Sequence, residues 1–291
     1  MSILHTVESR VEKLLRNNAA VTVAAALVAC SVFTLPVSAR ELPRDRIEAW
    51  GEYVRLTETR IASELAAGDD FLVQDFESGG TDAARGPLLA GDLVVSRMTT
   101  LRADGDEVDV PGGMIHHWRG AILLPGVTLE EVLRDVMYPD ASEDQQEDVL
   151  ETRVLDRGED WLDLYLKLER SKIVTATYNT EHRVEYTRHG DGRASSQTIA
   201  THVRELADAG TSREREKPEG DDRGFLWRLN SYWRYEEVDG GVLVECESLT
   251  LSRSIPFFIA PLVRPVVTGV AKESLDRTLT GLRDRMARNS R

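Results

Sequence analysis

Phe225-Leu-Trp-Arg-Leu-Asn-Ser-Tyr-Trp-Arg-Tyr-Glu-Glu-Val-Asp-Gly-Gly-Val-Leu-Val-Glu-Cys-Glu-Ser-Leu-Thr-Leu-Ser252 contains two alternating apolar and polar runs that meet at Val238-Asp239-Gly240-Gly241. Alternation with period two puts successive side chains on opposite faces of a strand, and an Asp-Gly pair between two such runs marks a hairpin. A two-residue Asp239-Gly240 turn, expected as type I′, sets Tyr232 opposite Glu247, Trp233 opposite Cys246 and Arg234 opposite Glu245. Sliding the turn to Gly240-Gly241 would set Glu236 against Glu245, and like charges directly across a ladder destabilise it. The first register is therefore the expected one. Phe225, Trp227, Leu229, Trp233, Tyr235, Val244 and Cys246 then share one face, while Arg228, Asn230, Tyr232, Arg234, Glu245 and Glu247 share the other.

The apolar face reads as core. The polar face has two readings: a solvated outer ladder in which Arg234 and Glu245 form a cross-strand pair of marginal worth, or a cavity mouth where Arg228 or Tyr232 holds a ligand head group. The solvated ladder is the favoured one.

Upstream, the same alternation predicts strands at Phe71 to Phe76, Leu93 to Met98, Met114 to Leu124, Val149 to Val154, Trp161 to Leu168, Ile173 to Tyr178, His182 to Thr187 and Ser196 to Glu205. Thr128 with Glu131 three residues on is a capping box for a short helix that ends near Tyr138-Pro139. An acidic loop, Asp140 to Asp148, and a polar loop, Thr211 to Asp222, are expected at the surface. Ile47, Trp50, Val54, Ile61 and Leu65 recur at helical spacing in an N-terminal helix that Gly68 closes. Val267, Val270, Ala271, Leu275, Leu279, Leu282 and Met286 do so in a long C-terminal helix, which Pro261 and Pro265 are expected to kink.

Between Arg16 and Arg40 lie 23 residues without a charge, preceded by Arg10, Lys13 and Arg16 and followed by Pro36-Val37-Ser38-Ala39. This is the pattern of a signal peptide cleaved after Ala39. An uncleaved membrane anchor, and a lipoprotein with acylated Cys30, are the other two readings. All three export the rest of the chain, to the periplasm or beyond, with membrane association through the N-terminus in the last two. The chain then divides into residues 1–39 (signal peptide or anchor), 40–70 (helical extension) and 71–291 (main domain).

With 41% apolar and 30% charged residues in 291, the chain can build a large core, and a formal charge of −14 argues against nucleic acid as a partner. Two cysteines, Cys30 and Cys246, do not make a disulfide scaffold. Hydrolase, phosphate-loop, dinucleotide and zinc-protease motifs are absent from the sequence. His116-His117 invites a metal reading, but neighbours on a strand point to opposite faces, so no metal and no cofactor is expected.

From residue 71 onward the order of elements, carried by Thr128 to Pro139, the hairpin from Phe225 to Ser252 and Ile255-Pro256 leading into the last helix, resembles the START-like superfamily, which includes polyketide cyclase and lipid-transfer proteins. The resemblance implies an α+β helix-grip fold, a curved antiparallel sheet wrapped around the C-terminal helix, with the N-terminal helix as an addition. It also implies a cavity for a hydrophobic or lipid-like small molecule, because core face and cavity wall are then one surface. Trp227, Trp233 and Tyr235 are on that basis the ligand-contact candidates. Noncatalytic binding or transport outside the cytoplasm ranks first. A cyclase-like enzyme using His116, His117 or Tyr232 ranks second, and a structural protein with a vestigial cavity third.

Overall fold

The computed structural model describes residues 42–76, 81–139, 148–171, 175–190, 192–254 and 260–289. The export segment 1–39, Cys30, Ile173, Pro256 and most of the acidic loop lie outside them.

The hairpin forms in the expected register. Strand β8 (Arg228–Val238) pairs with β9 (Gly241–Arg253) so that Tyr232 faces Glu247, Trp233 faces Cys246 and Arg234 faces Glu245. The turn differs from type I′, which requires φ above zero at both central residues. Gly240 has φ of +92°, whereas Asp239 stays outside the left-handed region. A Cβ on Gly241 would collide with the carbonyl of Leu124, so glycine there lets the neighbouring strand approach.

That neighbour is β2 (Gly113–Pro125), which pairs with β9 along its whole length and carries β1 (Val94–Arg97) on its far edge. On the other side of the hairpin come β6 (Arg193–Ala207), β5 (Thr175–Arg188), β4 (Trp161–Ser171) and β3 (Val149–Arg157). The sheet order is β1-β2-β9-β8-β6-β5-β4-β3, antiparallel throughout, with the two-residue β7 (Arg215–Glu216) beside β6 inside the polar loop. The two strand-like runs between Ile173 and Thr187 are thus one long strand.

Three helices are α1 (Arg44–Leu65), α3 (Leu129–Met137) and α4 (Ala260–Asn289). The capping box on α3 is complete: Glu131 N–H donates to Thr128 Oγ1, and Thr128 N–H donates to the Glu131 carboxylate at 2.8 Å. Helix α4 runs unbroken through Pro261 and Pro265. A fourth, α2 (Thr81–Leu89), was not expected and contains Pro87. Among the described residues, no helix is long and apolar enough to cross a membrane.

Phe71 to Phe76 is not a strand. Its end is a 3₁₀ turn, Val73–Phe76, because Asp75 Oδ2 accepts the backbone N–H of Phe71 (3.1 Å) and of Leu72 (2.8 Å). A side chain that satisfies its own backbone competes with a ladder, and here it wins.

The sheet is covered on both faces. Its inner face packs on α4 and α3, where Ile122, Leu124, Val244 and Cys246 meet Leu275, Leu279, Leu282 and Met286. At Gly120 the helix comes close enough that a Cβ would sit 2.6 Å from Leu279 Cδ1 and 3.1 Å from Leu275. Gly120→Val is therefore expected to destabilise the protein by about 1–3 kcal/mol through overpacking, read as a lower urea midpoint at unchanged slope.

The outer face is covered by α1, the 3₁₀ turn and α2. Trp50 and Tyr53 of α1 pack on Leu249, Leu251 and Tyr232, while Phe71, Leu72 and Leu88 pack on Ala121 and Leu243. The most buried line along α1 is not the expected apolar one. It runs through Trp50, Tyr53, Thr57 and Glu64, and Ile47 is exposed.

Candidate functional site

Two regions hold the candidate residues, one on each face of the sheet. His116 and His117 are separated between them, as strand alternation requires.

On the inner face, Trp233 and Tyr235 lie side by side, near-parallel, with ring centroids 6.3 Å apart. Trp118 from β2 and Tyr186 from β5 pack against the same cluster. Tyr235 is fully buried, but Trp118, Tyr186 and Trp233 are only half-buried, although Ile122, Leu124, Val244 and Leu279 around them have no exposure at all. Tyr186 spends its hydroxyl on the carbonyl of Val136 at the end of α3. His116 also lies on this side, with Nε2 and Ser252 Oγ 2.9 Å apart. Burial and the nearby Arg97 push its pKa down to about 4, so the ring is neutral at physiological pH.

Trp227 does not join them. It precedes the first residue of β8, where alternation no longer binds it. Its indole N–H donates to Asp222, and its ring stacks under Arg46 of α1, 4.6 Å from the centroid. It belongs to the outer cluster with Leu42 and Trp50. Arg228 lines a shallow pocket at that end of the sheet with Leu42, Arg204, Lys217 and Trp227.

The outer polar face is not a solvated ladder. Asn230, Tyr232, Arg234, Glu245 and Glu247 are all 5% exposed or less, because α1 lies across them. Arg234 does not bond Glu245. It reaches over the sheet to donate to Glu64 Oε2 (2.5 Å) and to the carbonyl of Phe71 (2.7 Å). Glu64 also receives Arg60, whose second nitrogen bonds Glu247. Tyr232 donates to Glu58 at 2.9 Å.

His117 sits within this network. Tyr53 Oη accepts the backbone N–H of Thr100 (2.9 Å) and is hydrogen-bonded to His117 Nδ1 (2.8 Å). The Glu247 carboxylate can only accept, so Nε2 of His117 carries the hydrogen donated to it at 2.6 Å. Burial alone would raise the Glu247 pKa. The His117 hydrogen bond and the charge of Arg60 outweigh it and hold the carboxyl below its usual range.

Glu245 takes the other course. Burial dominates the attraction of Arg234 and Arg119 and raises it to about 7. A second cluster ties the 3₁₀ turn to the sheet: Arg85 bridges Asp75 and Glu236 at 2.6 Å each, and Arg193 bonds Glu236 at 2.7 Å. His117 and Tyr232, two of the three enzyme candidates, are thus fastenings between α1 and the sheet. Tyr53, Thr57, Arg60 and Glu64, spaced four, three and four apart, were the sequence sign of this match.

An antiparallel sheet packed on a long C-terminal helix, with a capped helix following its second strand, is the arrangement of a helix-grip fold. No family model and no curated protein matches the sequence. Solved structures that resemble it include a STAR-related lipid transfer protein from Xanthomonas axonopodis (17% identity, 66% of this chain and 98% of that one, TM-score 0.42). Human StAR-related lipid transfer protein 5 is another (13%, 84% and 100%, 0.39), as is the ZhuI aromatase/cyclase of a Streptomyces species (12%, 61% and 97%, 0.40).

Proposed function

We propose that the protein binds or carries a hydrophobic, lipid-like small molecule without transforming it, held between the inner face of the sheet and α4. The supporting observation is the half-buried wall of Trp118, Tyr186 and Trp233 amid neighbours that are wholly buried. Large aromatic side chains left with accessible surface on a helix-facing side can still lose area to a ligand, and that area is the source of affinity. Trp233 and Tyr235 remain the ligand contacts, with Trp118 and Tyr186 added and Trp227 removed.

The proposal places this domain outside the cytoplasm, on the strength of the charge-free run before Arg40. N-terminal sequencing of material from a cell-envelope or culture fraction checks that part, and a cytoplasmic chain beginning at Met1 contradicts it.

Native mass spectrometry of protein from its own host is expected to show a noncovalent apolar adduct that organic extraction removes. Trp233→Ala should weaken its retention about tenfold, roughly 1.4 kcal/mol. A protein that carries no adduct and takes none up from a lipid extract contradicts the carrier reading.

A further inference from the structure

His182 is 3% exposed and lies on the inner side of β5, two residues from Val184 and four from Tyr186. Its hydrogen-bond state follows from its neighbour. Thr180 Oγ1 donates its only hydrogen to the carbonyl of Leu166 at 3.0 Å. It can therefore only accept from His182 Nε2, 2.9 Å away, so Nε2 carries the ring hydrogen. Nδ1 is left as a bare acceptor, and it has no partner among the described residues.

A buried acceptor without a donor is a cost that folded proteins rarely carry without a use. The local backbone adds a second sign. The β5–β6 register shifts at this point, with Glu181 paired to His202 and His182 to Ala200, which leaves Thr201 as the extra residue of a bulge. Bulges re-aim side chains, and the residue set across from the imidazole is the small Ala200. On the other flank stands Leu164.

We propose that the bound molecule is an apolar alcohol whose hydroxyl donates to Nδ1 of His182, an inference that rests on the carrier reading above. The hydroxyl supplies the missing donor, while the rest of the molecule lies along the aromatic wall. Burial holds the His182 pKa down to about 4, so the lone pair on Nδ1 is available throughout the neutral range. Acids and amines fit less well: a carboxylate brings no hydrogen to this atom, and an ammonium brings a charge that the neighbours Leu164, Ala200 and Val184 do not balance.

The test uses the full-length protein and two probes of nearly equal size, a pyrene-tagged decanol and its methyl ether. The alcohol is expected to bind about tenfold more tightly, and His182→Leu should bring the two within twofold while leaving the ether unchanged. Equal binding of both probes by the native protein, or a preference that survives in His182→Leu, overturns the assignment and leaves the carrier reading standing. Binding of neither probe overturns both. Should His182→Leu fail to fold, nitrogen-15 spectra of the native protein decide. They are expected to show His182 with its hydrogen on Nε2 and an Nδ1 resonance that shifts on adding the alcohol but not the ether. A hydrogen on Nδ1, or no such shift, overturns the proposal.

Discussion

Arg234→Met is expected to cost about 3–5 kcal/mol of unfolding free energy at pH 7.5, measured by urea denaturation. Arg234 is 3% exposed and donates to Glu64 of α1 and to the carbonyl of Phe71. Methionine keeps most of the volume but removes the charge. Glu64 then retains Arg60, yet Glu245 is left facing Arg119 alone, 3.8 Å away. The larger loss falls on the buried Phe71 carbonyl and the Glu64 carboxylate, which lose a charged donor that water cannot replace.

The double variant Arg234→Met with Glu245→Gln should recover less than about 1 kcal/mol relative to the sum of the single losses at pH 7.5, because Glu245, which titrates near 7, can take up a proton once Arg234 is gone. The exposed Arg188–Glu130 pair is the control and should leave the midpoint where it is. A loss below about 1 kcal/mol in Arg234→Met would mean that α1 does not lie on this face in solution.

The register of the hairpin followed from two local facts, the position of the Asp-Gly turn and the avoidance of facing glutamates, and both hold in the folded strands although the turn is not type I′. Burial did not follow, because a strand's polar face looks the same whether water or another polar surface covers it. The covering surface is written in α1 as Tyr53, Thr57, Arg60 and Glu64, a polar line that the apolar stripe of the same helix masks.

Trp227 departs for a related reason: alternation is enforced only within a strand, and Trp227 stands one residue before β8. Phe71 to Phe76 alternates like a strand, yet Asp75 bonds the backbone that a ladder would need. His182 stood within a predicted strand, but its missing partner is visible only once Thr180 and the carbonyl of Leu166 are in place. Local chemistry set the elements, and contacts distant in sequence set which polar groups are left unmet.

Glu245→Gln is expected to stabilise the protein at high pH and to do little at low pH. The Glu245 carboxyl is fully buried and titrates near pH 7 in the folded protein, against 4.5 for an ordinary glutamate. Between those values the folded chain holds a proton that the unfolded chain has released, so stability falls as pH rises through this window. The full difference amounts to about 3 kcal/mol at pH 8 and vanishes below pH 4.5. Glutamine keeps the oxygen that accepts from Val73 N–H, a 2.6 Å bond, and never ionises.

Two histidines oppose this trend. His116 and His182 are both held near 4, so the unfolded chain takes up protons that the folded one refuses, and stability is lost as pH falls from 6.5 toward 4. The native protein should therefore be most stable around pH 6 to 7, where neither loss is complete. Because the histidines are present in both proteins, their effect cancels in the difference between Glu245→Gln and the native chain. That difference should open monotonically from near zero at pH 4 to about 2–3 kcal/mol at pH 8, less whatever the amide loses in facing Arg119. Urea midpoints at several pH values supply the curve. A gap independent of pH, or one that widens toward acid, would show that Glu245 is ionised in the folded protein and balanced by Arg234 and Arg119.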